Sequence, residues 1–94
     1  MEMEIVNKSD TDTSWYCYNS DDAVKWVALG SGELSAKGGS VSYQPPKNGT
    51  GLYFVRFTHK GGGTELAGGI TRQSGQAISL VGTVGQYHAQ VSDA

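Results

Sequence analysis

Apolar and polar residues alternate one for one from Gln86 to Ser92, with Tyr87, Ala89 and Val91 set against Gln86, His88 and Gln90. A period of two marks a strand with one wet face. No window of the chain carries the i, i+3, i+4 apolar stripe of a helix, and glycines, an adjacent proline pair and Ser/Asn/Asp clusters cut it into short pieces. The pattern predicts eight strands: Glu2–Asn7, Thr13–Tyr18, Ala23–Leu29, Ser40–Gln44, Leu52–His59, Thr64–Ile70, Gln76–Val81 and Gln86–Ser92. Their even spacing predicts an all-β chain, a single-domain antiparallel β-sandwich or flattened barrel over residues 1–94.

The same period sorts the aromatic residues. In TSWYCYN, Trp15 and Cys17 share one face and Tyr16 and Tyr18 the other; Trp and free Cys are the more often buried, so Tyr16 and Tyr18 are expected to face out. Trp26 opposes the charge of Lys25 and joins the expected core with Trp15, Cys17, Tyr87, Ala89 and Val91. In LYFVRFTH both faces are apolar: Tyr53, Val55 and Phe57 against Leu52, Phe54 and Arg56. Either this strand is sandwiched on both sides or its second face meets another subunit, and the expectation is a homodimer that covers Leu52 and Phe54, with Arg56 at the margin.

Ninety-four residues hold one core of modest size, and the lone Cys17 excludes an internal disulfide, which again favours oligomerisation. The net charge is −2 and the seven basic residues are scattered singly, so no stripe tracks phosphates and nucleic acid is not an expected partner. MEMEIVNKSD has neither a basic nor an apolar signal region, so synthesis in the cytoplasm is expected, with any release by an unconventional route. Asn7-Lys8-Ser9 and Asn48-Gly49-Thr50 match the glycosylation sequon but read as turns.

Catalytic motifs are missing: His59 and His88 are far apart in sequence, and no G-x-S-x-G, HExxH or P-loop spacing occurs. Asp10-Thr11-Asp12 begins like a calcium loop, but Ser14 and Trp15 stand where the later ligands and glycine are needed. The expectation is a binding protein rather than an enzyme, with no cofactor and no metal. If the strands run up and down, the loops Asn19–Asp22, Pro45–Thr50 and Thr71–Gly75 meet at one rim. That rim offers Asn19, Asp21, Asp22, Asn48 and Arg72 as hydrogen-bonding groups beside the ring of Tyr18, a combination suited to a sugar's hydroxyls and apolar C–H face. The opposite rim, with Asp10, Asp12, Glu33, Lys37, His59 and Lys60, is the second place to look. The alternative function is a lipid-binding, cytolysin-like β-sandwich whose outward aromatics enter a bilayer interface.

With its small size, acidic charge, fourteen glycines and single cysteine, the whole chain resembles the small fruiting-body lectins of mushrooms, and among them those that bind α-galactosyl sugars. The resemblance rests on size and composition and not on a short motif, so it carries over no binding residue. It implies a non-enzymatic, metal-free fungal lectin that binds galactose-terminated glycans on glycoproteins or glycolipids as a multivalent homodimer.

Overall fold

The computed structural model describes residues 2–19, 28–47, 51–72, 76–83 and 85–93. Eight strands are formed: β1 Met3–Asn7, β2 Thr13–Asn19, β3 Gly30–Leu34, β4 Gly39–Tyr43, β5 Leu52–His59, β6 Glu65–Arg72, β7 Gln76–Thr83 and β8 Gln86–Asp93. They make two four-stranded sheets, ordered β4-β1-β7-β8 and β3-β2-β5-β6. The expected all-β sandwich stands. One pairing departs from the antiparallel expectation: β1 runs parallel to β7. Most of the chain separates these two strands, so the connection between them is free of the constraint that makes a hairpin antiparallel. No described helix is long and apolar enough to cross a membrane.

Alternate residues of the two sheets meet in one apolar cluster that includes Met3, Ile5, Trp15, Cys17, Leu34, Tyr53, Val55, Phe57, Ile78 and Leu80. The inward facing of Trp15 and Cys17 follows the expected period, as does that of Tyr53, Val55 and Phe57. Burial also pushes the Cys17 thiol up to about 12. Tyr87 and Ala89 pack only partly against this cluster, and Val91 is 38% exposed. The reason is position: β8 is the outermost strand of its sheet. Across from it β6 contributes Gly69, where a Cβ would sit 3.4 Å from Ile78 Cδ1 and 3.5 Å from Ala89 Cβ. Gly69 itself offers no side chain there to cover β8.

The expected strand Ala23–Leu29 lies mostly outside the described residues, as does Trp26, and Ala28 and Leu29 are not in a strand. The third strand is instead GSGEL, in which two glycines mimic a turn. They are there because aromatic rings lie over them. Gly32 pairs with Trp15 and Gly30 with Cys17; a Cβ on Gly32 would stand 2.8 Å from Trp15 Nε1, and one on Gly30 would stand 2.5 Å from the Tyr43 hydroxyl. The rings of Trp15 and Tyr43 are in turn 5.1 Å apart and tilted, the arrangement aromatic pairs prefer.

Candidate functional site

Asn7, the last residue of β1, is fully buried and organises one end of the molecule. Its Nδ2 donates to Thr11 O at 2.8 Å and to Leu34 O at 3.3 Å. Its Oδ1 accepts from Ser9 N at 3.0 Å and Ser9 Oγ at 2.5 Å. Three of these contacts, to Thr11 and Ser9, are the local bonding by which an Asn holds a turn, and the fourth ties that turn to Leu34 at the end of β3. The side-chain amide of the first sequon is thus enclosed and used internally. Around it, Lys37 N donates to Ser9 O at 2.9 Å, Gly38 N to Asn7 O at 2.7 Å and Lys60 N to Asp12 O at 3.3 Å. The β1–β2 loop is thereby tied to the β3–β4 turn and to the start of the β5–β6 connection.

Beside this loop opens a cleft of about 470 Å³, lined by Asp10, Thr11, His59, Glu65, Leu66, Gly85 and Tyr87, within the range of small-molecule pockets, roughly 300 to 1,000 Å³. Five segments build it: the β1–β2 loop, the end of β5, the start of β6, the β7–β8 turn and the start of β8. The Tyr87 hydroxyl donates to Asp10 Oδ1 at 2.8 Å, joining β8 to the β1–β2 loop at the cleft. That bond, followed by desolvation and the carboxylate's charge, raises the phenol's pKa, because each disfavours a phenolate. Glu65, which also lines the cleft, has its Oε1 3.9 Å from Arg56 Nε, with both side chains part exposed. Leu66 and the ring of Tyr87 supply apolar surface, and both are half-buried. A second hollow of about 70 Å³, lined by Asp12, Glu33, Leu34, Ser35 and Lys60, adjoins it along the chain; there Asp12 Oδ1 accepts from Ala36 N at 2.9 Å.

Of the opposite rim named from the sequence, Asp10 and His59 line the cleft and Asp12, Glu33 and Lys60 line the hollow, while Lys37 lines neither. At the other end, register sets Asn19 beside Tyr53 and Tyr53 beside Thr71, and the Tyr53 hydroxyl donates to Pro46 O. The starts of the three expected loops do meet. Asp21, Asp22 and Asn48 lie outside the described residues, and the side chain of Arg72 is not among those described. Tyr18 differs from expectation. It is on the outward face of its strand but only 5% exposed, with Phe54 6.4 Å and the Arg56 guanidinium 6.0 Å from its ring. Outward facing does not give exposure here because the neighbouring strand β5 sets the large side chains of Phe54 and Arg56 beside the ring, leaving little of it for a ligand.

Leu52, Phe54 and Arg56 stand on that outer face and are half-buried. The Arg56 guanidinium lies 5.2 Å from the ring of Tyr16, and Phe54 reaches over Gly68, where a Cβ would be 2.6 Å from its Cζ. Ile70, paired with Phe54, is 57% exposed and extends the apolar face to the sheet edge.

Sequence reasoning missed Tyr87, Thr11, Glu65 and Leu66 as cleft residues. Tyr87 has the period of a core residue, and the only sign of another role is its place next to the β7–β8 turn. Among the described residues no group of three or more His, Cys, Asp or Glu is arranged to hold a metal ion. The cleft offers carboxylate acceptors, imidazole and hydroxyl groups that both give and accept, and one aromatic face. Such a set suits recognition of a hydroxyl-rich ligand. No protein-family model, curated protein or solved structure matches this chain.

Proposed function

We propose that the protein is a lectin: it binds carbohydrate without chemical change, takes the terminal galactose of glycans as ligand, and does so in the cleft of Asp10, Thr11, His59, Glu65, Leu66, Gly85 and Tyr87. The observation that carries this reading is the hydrogen bond between Tyr87 and Asp10, both of which line the open cleft. It fixes one carboxylate oxygen, leaving the other to accept from a sugar hydroxyl, and holds an aromatic ring beside it for the sugar's C–H face. A ligand of hydroxyls must have each lost water bond replaced, and acceptors fixed in advance do so at least entropic cost. Galactose as the sugar is supported by the resemblance of the whole chain to small mushroom lectins.

A shallow site of this kind binds a monosaccharide at about millimolar strength, about −4 kcal/mol. Two copies joined through Leu52, Phe54, Arg56 and the exposed Ile70 would bring avidity, roughly 10² to 10⁴-fold on a surface of matched glycans. Haemagglutination inhibited by free galactose, and lost in Asp10→Ala and Tyr87→Ala but kept in Asp22→Ala, supports the assignment. The reverse pattern places the sugar at the Asn19–Asp22 rim. For the dimer, Leu52→Glu with Phe54→Ser should give folded monomer, and an unchanged dimer refutes that interface.

The second reading is a lipid-binding sandwich. What favours it is the same outer face, where Ile70 is 57% exposed beside Phe54, Tyr16 and Arg56, an apolar patch with a cation as bilayer interfaces accept. Dye release from protein-free liposomes, abolished by Ile70→Ser, would favour it over the lectin.

A further inference from the structure

The charge around the cleft says which glycans it takes. Asp10 and Glu65 both line it, and none of its described lining residues is lysine or arginine. The cation in direct contact is Arg56, which lies 3.9 Å from Glu65 Oε1 while its guanidinium rests over Tyr16 on the outer face of the sheet. Arg56 thus answers Glu65 from outside the cleft. Asp10 is met in the cleft by the phenol of Tyr87, a hydrogen-bond donor and not a cation. Lys60 lies in the neighbouring hollow with Asp12 and Glu33, two more carboxylates. A ligand entering here meets two carboxylates, Asp10 and Glu65, and one imidazole, His59.

From this we infer that the cleft is a charge filter: it binds neutral or ammonium-bearing terminal sugars and rejects those capped by sulfate, carboxylate or sialic acid. The inference rests on the carbohydrate reading of the cleft and narrows its ligand class. A hydroxyl donates to a carboxylate and gains from it, whereas an anionic substituent cannot donate and is repelled. One like charge at about 5 Å in a partly wet site weakens binding by about tenfold or more, and salt reduces the difference because the pair is exposed to the medium.

The test is a glycan array of matched pairs, each neutral glycan beside its sulfated or sialylated counterpart, followed by titration of the best neutral ligand and its sulfated partner at low and high salt. The expected result is binding to neutral members, at least about tenfold weaker binding to their anionic partners, and a smaller gap at high salt. In Glu65→Gln, and separately in Asp10→Asn, which keeps an acceptor for Tyr87, the ratio of anionic to neutral affinity should rise about tenfold, whatever either variant loses in absolute affinity. Equal binding of neutral and anionic partners by the wild type overturns the filter and leaves the lectin standing. An unchanged ratio in both variants also overturns it, because the discrimination then arises elsewhere. A protein that binds no member of the array overturns the carbohydrate reading itself, and the filter with it.

Discussion

Replacing Asn7 by alanine removes the side chain on which the cleft's first loop is built. The change deletes two donated bonds, to Thr11 O and Leu34 O, and two accepted from Ser9. Ser9 is 1% exposed and Leu34 6%, so water cannot replace all of these bonds. A net hydrogen bond contributes about 1 kcal/mol, and a buried group left unsatisfied costs roughly 1 to 3 kcal/mol. With two or three groups stranded, the loss should be about 3 to 5 kcal/mol, a large share of the 5 to 15 kcal/mol typical of a whole domain. Urea unfolding reads this directly: at a slope of about 1 to 2 kcal/mol per molar for a small protein, the midpoint should fall by roughly 2 to 4 M, or the variant should not fold at 25 °C. Lys8→Ala, at an exposed neighbour, serves as control and should stay within about 0.5 kcal/mol of wild type. Because Asp10 and Thr11 ride on the same loop, the variant should also weaken binding in the cleft under conditions where it remains folded. An Asn7→Ala midpoint equal to wild type would refute the reasoning, since the loop would then be held by its backbone alone.

Two further outcomes follow from the packing. Burial raises the Cys17 thiol from 9.0 to about 12 by disfavouring the thiolate, so the unfolded chain ionises first: stability is unaffected below pH 9 and falls as pH rises from 9 towards 12, by an amount on the order of a few kcal/mol. The fall in wild-type stability over that window should be smaller in Cys17→Ala, which separates the thiol from the tyrosines, and a native thiol that reacts quickly at pH 8 contradicts its burial. Gly32→Ala sets a methyl group 2.8 Å from Trp15 Nε1, so it should destabilise by roughly 1 to 3 kcal/mol and shift the Trp15 emission; a neutral substitution would mean that the ring is free to move aside.

How much of this was legible in the sequence depended on whether one residue's neighbours could be inferred from its own strand. LYFVRFTH forms a strand over the expected residues, and its inward set of Tyr53, Val55 and Phe57 follows from the period alone. GSGEL was unreadable as a strand because its glycines answer to rings on β2 and β4, a contact between elements that no local pattern records. Tyr18 shows the same limit: its facing was legible, but its cover by Phe54 and Arg56 was not. The cleft was half legible. Asp10 and His59 stood out as polar loop residues, whereas Tyr87 looked like core, because alternation tells which side of a sheet a residue takes and not whether another sheet covers it there.

The most direct measurement of the central claim is a titration of the isotope-labelled protein with methyl α-galactoside, followed through its backbone amide resonances. The lectin account expects saturable shifts concentrated at Asp10, Thr11, His59, Glu65, Leu66, Gly85 and Tyr87, with a midpoint near the millimolar range. Shifts confined to Asn19, Asp21, Asp22, Asn48 and Arg72, or no saturable shift at all, would contradict it.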